Sequence, residues 1–436
     1  MFWIRKHIQY SRYKGFWIRA RGILVVLCFS LEVIHAQDPE VIPQALTIAK
    51  AEELVRRSTD KTGVDLDRLS ELNIDVARVL SKSRGMLSLN RIRTMDVQTA
   101  KALTSESKLV LRLNGIEELS PQAAACLARA SYLELNRLRP DRETLRELGK
   151  CKGALHLNHL ESLDTETASF LAEGPFVLQL NGVSEVNADV ARSLATCKGT
   201  LGLDGVSQLS DQAAEELSKH VGGLSLASLR RLSHVGLSQQ LVVSRGGVVL
   251  GELEEVSLEC LETFVSEEFT LKLGIREVRR EQAEILARFQ GRLTLTRVPS
   301  LDQATINVLL KSNGKLTCSG LRKLEDIKLA ERLANDSSQM FGSPNLESLT
   351  ESIARAITRK KVILPLYKLE EIDLQVAAIL AAHKGHLILT GLRQMSDEQA
   401  EVFAAREGTL RLSRKMVISE QAKAILEGNK RISWGG

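Results

Sequence analysis

The chain has few of the residues that build aromatic cores or covalent frameworks. Aromatic side chains make up 4% of its 436 residues, and it contains eight prolines and six cysteines. Such a composition favours small stacked apolar layers over one large aromatic core. The five cysteines beyond Cys28 form no CxxC pair and are scattered, which excludes a disulfide framework and predicts buried free thiols. These are Cys126, Cys151, Cys197, Cys260 and Cys318.

Recognisable catalytic and metal-binding motifs are also missing from the sequence. It has no HExxH, GxSxG, phosphate loop or paired catalytic carboxylates at a known spacing, and no GGxGxD calcium repeat. His156 and His159 flank Asn158 near Glu134 and Arg112, but no third ligand is indicated. We therefore expect a protein that is not an enzyme and that needs no cofactor and no metal.

The excess of basic residues belongs to the N-terminus. The whole chain has a net charge of +5, but residues 1–36 hold six of its 59 basic residues and one of its 54 acidic residues. The remainder has 53 of each and is neutral. This balance gives no support to nucleic-acid binding by the folded part.

Residues 1–36 have the pattern of a secretory signal. Six basic residues precede an apolar run from Ile23 to Ile34, and Ile34-His35-Ala36 resembles a cleavage site. The run is shorter than the roughly 20 residues of a membrane-spanning helix, so we expect no membrane span after cleavage. The signal predicts export to a periplasm, a cell envelope or the extracellular space. Retention of the segment as an anchor is the alternative.

The segment Thr200–Gly223 (TLGLDGVSQLSDQAAEELSKHVGG) contains the unit from which the rest of the chain is built. Leu201 and Leu203 alternate with small or polar residues, which predicts a short strand. Ser210 can cap a helix, and Gly222-Gly223 is expected to end it. A strand and a helix this short cannot bury their own apolar faces, so they need neighbours of the same kind.

Repeats of this unit extend over residues 64–436. From Leu87 to Ile432 there are 15 steps over 345 residues, a mean of 23. We predict about 16 strand–helix units, a helical cap at 37–63, an irregular repeat near 331–347 and a closing strand at 432–434. The strands are expected to start at Val64, Leu87, Leu111, Leu133, Leu155, Leu178, Leu201, Leu224, Val248, Leu271, Leu293, Leu316, roughly Phe341, Leu364, Leu387, Leu410 and Ile432.

A column of predicted helix starts supports this alignment. Fourteen of its 16 residues have short side chains that cap helices, and Arg279 and Glu325 are the exceptions. Seven residues further on, 14 of 16 positions are apolar, with Gln240 and Arg332 as the exceptions. The column consists of Asn73, Asp96, Ser120, Asp141, Asp164, Asn187, Ser210, Ser233, Ser257, Arg279, Asp302, Glu325, Thr350, Asp373, Ser396 and Ser419.

The order of Leu201-Gly202-Leu203, Val206, Leu209-Ser210-Asp211 and Leu217 resembles the leucine-rich repeat. It is most similar to the cysteine-containing type (LxLxxCxxITDxxLxxLA), with a shorter unit and an aliphatic residue in place of the cysteine. The resemblance implies an α/β right-handed solenoid in the form of a horseshoe. Parallel strands would line its concave face and short helices its convex face.

Two columns follow from this alignment. The residues between the two leucines of each strand would face outward, and they are polar and varied, which favours an irregular protein surface as partner. A plain solvated face without a ligand is the alternative. The candidate binding residues are Arg112, Glu134, His156, Gln179, Lys272 and Arg411. The next column contains Asn90, Asn114, Asn136, Asn158 and Asn181, which we interpret as structural turn residues. A ligand-binding strip along these asparagines is the alternative.

The sequence therefore predicts an exported, non-catalytic scaffold that binds a protein partner through the concave strand face. The competing hypothesis is a structural or envelope-associated repeat protein without a specific ligand.

Overall fold

A computed structural model describes residues 46–59, 62–106, 109–243, 247–265 and 268–435. The predicted signal at 1–36 lies outside these residues, as does the beginning of the predicted cap. Within the described ranges, no helix is both long and apolar enough to cross a membrane. The described residues form two compact units. Unit 1 comprises those up to Leu229 with 239–243, and unit 2 comprises Arg230–Ser238 and those from Gly247 onward.

Unit 1 is a stack of strand–helix repeats around one parallel sheet. Its eight strands pair in chain order. The first leucine of each strand is aligned with that of the next, and Val64 takes the leucine position in β1. Its strands are β1 Val64–Asp65, β2 Met86–Ser88, β3 Val110–Arg112, β4 Tyr132–Glu134, β5 Ala154–His156, β6 Val177–Gln179, β7 Thr200–Gly202 and β8 Leu224–Ser225. Its helices are α1 Ile48–Arg57, α2 Ile74–Leu80, α3 Val97–Leu103, α4 Pro121–Leu127, α5 Arg142–Leu148, α6 Thr165–Ala172, α7 Ala188–Ala195 and α8 Asp211–Ser218.

The leucines of the strands form the core of each repeat. Leu178 pairs with Leu201 in the sheet, and both side chains are fully buried. Leu203 is also inaccessible, and the apolar side of α8 contributes the buried residues Ala213 and Leu217. Burial stabilises each leucine by roughly 1.5–3 kcal/mol, and the neighbouring repeats supply part of the cover. The predicted α/β leucine-rich-repeat solenoid is thus confirmed.

The predicted capping column has the expected hydrogen bonds. Thirteen of its 14 short side chains accept the backbone N–H three residues further on, which satisfies one free donor of the first helical turn. Arg279 has no acceptor to offer. There the Gln282 side chain accepts the N–H of Arg279 instead, at 3.1 Å.

Two predicted helix starts were wrong by one residue. In α9 (Val235–Val243) the N–H of Leu237 bonds Nδ1 of His234, not Ser233, at 3.1 Å. In α13 (Ile327–Asp336) Asp326 is the cap, not Glu325, and accepts from Leu329 at 2.7 Å. Each of these two repeats has one extra residue between the strand and the helix. Counted from the observed caps, the position seven residues on is no longer Gln240 or Arg332, which were the two polar exceptions to the apolar column. The positions seven residues on are Leu241 and Leu333, and both are buried.

Gly222 is needed for a different reason from the one predicted. Helix α8 ends at Ser218, and its C-cap Lys219 has a right-handed helical backbone conformation. Gly222 does not adopt a positive φ, so it is not a left-handed helix stop. A Cβ at Gly222 would lie 1.7 Å from the backbone oxygen of Gly199 in the preceding repeat. The glycine therefore permits close contact between the backbones of stacked repeats.

Unit 2 contains three smaller parallel sheets. One has the order β10-β12-β13-β14, one pairs β9 with β11, and one has the order β15-β16-β17-β18. The strands are β9 Arg231–Leu232, β10 Val248–Leu250, β11 Glu255–Val256, β12 Thr270–Leu273, β13 Arg292–Leu295, β14 Lys315–Cys318, β15 Leu364–Pro365, β16 Leu387–Leu389, β17 Leu410–Ser413 and β18 Ile432–Gly435. The remaining helices are α10 Leu258–Val265, α11 Arg280–Leu286, α12 Gln303–Leu309, α14 Glu351–Thr358, α15 Leu374–Ala382, α16 Asp397–Ala404 and α17 Glu420–Glu427.

The repeat around Phe341 lacks a regular strand. A single bridge joins Met340 to Ile363, and β14 does not pair with this segment. A side chain takes over one of the missing ladder bonds, because Oδ2 of Asp336 accepts the N–H of Leu316 at 2.9 Å. Arg332 holds that carboxylate at 2.6 Å. One backbone donor at this edge of the sheet is thereby satisfied without a neighbouring strand.

The five cysteines are free, and four of them are buried. Their thiols serve as small packing groups, as the sequence predicts. Two of them point at carbonyl oxygens of the preceding repeat, Cys151 at Ala130 and Cys197 at Pro175. Burial raises the pKa of the Cys318 thiol to about 12, so this group stays protonated.

We predict that Asp336→Ala destabilises unit 2 by about 1–3 kcal/mol, because it leaves the Leu316 N–H without an acceptor. Asp336→Asn keeps an oxygen at the same place and should lose less. Urea unfolding checks both variants, with Glu281→Ala on exposed surface as the control. Equal stability of Asp336→Ala and Glu281→Ala would contradict the assigned role of Asp336.

Candidate interaction surface on the strand face of unit 1

The strands of unit 1 present two columns of side chains away from the buried leucines. Side chains alternate along a strand, so the residues on either side of each first leucine share the opposite face. We call this surface the strand face. One column contains Ser88, Arg112, Glu134, His156, Gln179, Gly202 and Ser225, in register across the sheet. The other contains half-buried apolar residues, called here the apolar stripe: Met86, Val110, Tyr132, Ala154 and Val177.

Glu134 is the centre of the polar column. Its Oε1 accepts from Nδ2 of Asn114 at 2.9 Å and of Asn136 at 2.8 Å, and its Oε2 accepts from the Tyr132 hydroxyl at 3.1 Å. Nε of Arg112 lies 3.0 Å from Oε2, but the angle does not suit a hydrogen bond, so this contact is an ion pair. With His156, these residues form the Glu134 cluster. The side chain of Glu134 is only 13% exposed, and its neighbours fix the position of the carboxylate.

His156 packs against the aromatic ring of Tyr132. The ring centroids are 4.7 Å apart, and the Tyr132 hydroxyl lies 3.5 Å from Nδ1 of His156. Burial is the largest cause that lowers the pKa of His156, Glu134 opposes the shift, and Arg112 adds to it. The imidazole is therefore neutral near pH 7 and can act as a hydrogen-bonding group.

His159, the second histidine of the sequence motif, is exposed. Among the residues that the structure describes, no group of three or more His, Cys, Asp or Glu side chains is placed to hold a metal ion.

The predicted asparagine column forms a continuous ladder. The Oδ1 of each asparagine accepts the backbone N–H of the equivalent residue in the next repeat, at 2.9–3.1 Å. Asp67 starts the ladder by accepting from Asn90, and Asp204 ends it by accepting from Ala227. The side chains thus continue the sheet hydrogen bonding beyond the strand ends. This arrangement favours a structural role for the asparagines over a ligand-binding strip, because each Oδ1 already accepts a backbone N–H of the next repeat.

The sequence analysis missed Asp67, which starts the asparagine ladder, and the apolar stripe, to which Tyr132 belongs. Asp67 lies three residues after Val64, which is the column position of the asparagines, and its carboxylate could have been included on that ground. Tyr132 precedes the first leucine of its repeat, and the outward column was searched only between the two leucines. The strand face therefore carries an aromatic residue that the sequence analysis did not assign to it.

Lys272 and Arg411 do not belong to this surface. Both are exposed in unit 2, where they lie in different sheets, Lys272 in β12 and Arg411 in β17. The guanidinium of Arg411 lies over Gly435, where an added Cβ would be 2.5 Å from Nε. Of the six candidate binding residues, the structure brings together four: Arg112, Glu134, His156 and Gln179.

Comparison with known proteins yields similar solved structures only. No known protein-family profile matches the chain, and no curated protein sequence matches it. The TLR13–ssRNA13 complex is 13% identical with a TM-score of 0.44 over 89% of this chain, which spans 63% of that chain. A leucine-rich-repeat protein of Leptospira interrogans is 15% identical with a TM-score of 0.37, over 89% of this chain and 98% of that chain. An internalin from Listeria monocytogenes is 17% identical with a TM-score of 0.37, over 77% and 88% respectively.

At these identities and TM-scores the likeness says nothing about ligands. The fold assignment depends on the leucine register and on the capping bonds of the chain itself.

We predict that Asn158→Ala destabilises unit 1 by about 1–2 kcal/mol, because the Asn181 N–H then has no acceptor. Asn158→Asp should cost less, since Asp67 and Asp204 already perform this role with a carboxylate. Thermal and urea unfolding of the two variants check the difference. Equal destabilisation of Asn158→Ala and Asn158→Asp would contradict the prediction that the ladder needs an accepting oxygen at this position.

We also predict that protonation of His156 weakens unit 1 in acid. The folded chain binds this proton at a lower pH than the unfolded chain, whose histidine pKa is about 6.5. The stabilising contribution is therefore complete above about pH 6.5 and is lost as the pH falls through the lowered pKa of the folded state. The melting temperature should fall less between about pH 7.5 and about pH 5.5 in His156→Gln than in the wild type.

The matched control for this measurement is His159→Gln, which changes an exposed histidine three residues away. An identical acid-dependent fall in the wild type and in His156→Gln would refute the assignment.

Proposed function

We propose that the protein is an exported, non-catalytic scaffold that binds a protein partner through the strand face of unit 1. The observation that carries this proposal is the apolar stripe, which runs in register beside the charged Glu134 cluster. The combination suits recognition of another protein surface, because interfaces place aromatic and aliphatic side chains next to arginine and hydrogen-bonding groups.

The order within the Glu134 cluster supports binding more than chemistry. Asn114, Asn136, Tyr132 and Arg112 all hold the carboxylate of Glu134, so this carboxylate has a fixed position within the cluster. Side chains that are fixed before binding lose little rotational freedom on contact with a partner. Strand spacing of about 4.8 Å places five repeats of the apolar stripe over about 20 Å. This is an adequate length for one interface patch.

The variety of the polar column favours a protein over a repeating polymer. Arg112, Glu134, His156 and Gln179 occupy equivalent positions in successive repeats, yet they differ in charge and in hydrogen-bonding capacity. A polymer with identical units would be matched by identical side chains at each step. A partner with an irregular surface is matched by side chains that change from strand to strand.

Export is proposed from residues 1–36, whose basic and apolar pattern is that of a secretory signal. The partner is therefore sought in extracellular or envelope material. A purely structural repeat protein is the rival, and it would show end-to-end filaments in sedimentation and no saturable partner.

We predict that Arg112→Glu or Glu134→Arg weakens a saturable partner recovered from such material at least about tenfold. The double variant Arg112→Glu/Glu134→Arg should restore an internal ion pair, but not the hydrogen bonds that Glu134 accepts from Asn114, Asn136 and Tyr132. It should not restore the binding, because the charges facing the partner stay reversed. Pull-down followed by titration of the purified partner measures the dissociation constants.

Arg192→Glu is the matched control for these variants. Arg192 is 60% exposed on α7 of the same unit and also pairs with a carboxylate, that of Asp189 at 2.8 Å. Its reversal should leave binding unchanged. The proposal would be contradicted if Arg192→Glu lost binding while the double variant Arg112→Glu/Glu134→Arg bound fully. The partner site would then not lie on the strand face.

A further inference from the structure

Unit 2 contains a cleft of about 890 Å³ beside the irregular repeat. Loops that follow β12, β13, β14 and β15 line it, together with the loop of the irregular repeat itself. Four of the lining side chains are cations and two are carboxylates: Arg276, Arg297, Arg322 and Lys368, with Glu347 and Glu370. Its volume lies within the range of ligand sites on proteins.

The local backbone explains why this space remains open. The segment around Phe341 pairs with Ile363 through one bridge and does not continue the sheet from β14. Gly320 contributes no side chain to the cleft, and a Cβ there would lie 2.7 Å from the backbone of Arg297. Asn345 is fixed by donating from Nδ2 to the oxygen of Ser319 at 2.8 Å. Its Oδ1 accepts no hydrogen bond from any described residue.

The charges of the cleft are only partly matched. Arg322 lies 3.4 Å from Glu347, and Glu370 is held at 2.7 Å by Arg393, which stands outside the lining. Arg297 pairs with Glu252, also from outside. Both lining carboxylates are therefore already bound to arginine.

Two cations of the lining remain without an internal counter-charge. Arg276 and Lys368 are exposed, and neither has a carboxylate within 4 Å among the residues that the structure describes. They are the groups that a negatively charged ligand would meet first. An arginine offers paired donors to a carboxylate, and a lysine offers a single positive point charge.

We propose that this cleft binds an acidic peptide segment, with Arg276 and Lys368 as the groups that bind its carboxylates. Among nucleic acid and peptide, the lining favours a peptide, because it has no aromatic side chain on which a base could stack. A peptide also has backbone N–H groups, which Oδ1 of Asn345 can accept. This site is separate from the strand face of unit 1 and does not depend on it.

Fluorescence anisotropy of the whole protein with labelled hexaglutamate tests the proposal, with hexalysine and a thymidine hexanucleotide as comparison probes. Hexaglutamate should bind in a saturable and salt-sensitive manner, and more tightly than the other two. Arg276→Glu and Lys368→Glu should each weaken it about tenfold, and together by more. Lys311→Glu, the same charge change on exposed surface of unit 2, should have no effect.

Three results would overturn the proposal. One is equal or tighter binding of the hexanucleotide, which would indicate an unselective polyanion surface. Another is equal weakening by Lys311→Glu, which would mean that overall charge decides. The third is unchanged affinity in the double variant Arg276→Glu/Lys368→Glu with a wild-type melting temperature.

Discussion

Each repeat of this protein depends on its neighbours to bury its leucines. A strand of three residues and a helix of seven or eight have too little surface to enclose Leu201 and Leu203 by themselves, yet both are fully buried in the stack. The regular register follows from this requirement, because a shift by one residue would turn every leucine of a strand outward. The glycines at backbone contacts, such as Gly222, follow from it too, since close stacking leaves no room for a Cβ.

Side-chain oxygens complete the hydrogen bonding where the short strands end. The asparagine ladder performs this task in unit 1, and Asp336 performs it once in unit 2, where a whole strand is missing. In both places a fixed oxygen accepts a backbone N–H that would otherwise be buried without a partner. The solenoid therefore tolerates an irregular repeat because one acidic side chain replaces the lost backbone acceptor. The cleft lies beside this irregular repeat.

The repeat period, the strand starts and most caps could be predicted from the sequence, because leucines and capping residues recur at fixed spacing. The two errors at Ser233 and Glu325 come from one added residue between strand and helix, which a rigid column cannot represent. Tyr132 was missed since only the positions between leucines were considered. The cleft could not be predicted, because its cations come from loops of several repeats, and the spacing of leucines and caps does not fix where loop side chains lie.

The residues that we propose for recognition are the least constrained by the fold. Arg112, Glu134 and His156 occupy equivalent strand positions, and a serine, a glutamine and a glycine occupy the same position elsewhere in the sheet. Any of these side chains is compatible with the leucine core, because the core lies on the opposite face. The side chains of this surface can therefore vary without changing the architecture. For that reason the regularity that predicts this fold so well carries no information about the ligand, which has to be inferred from the positions where the repeats differ.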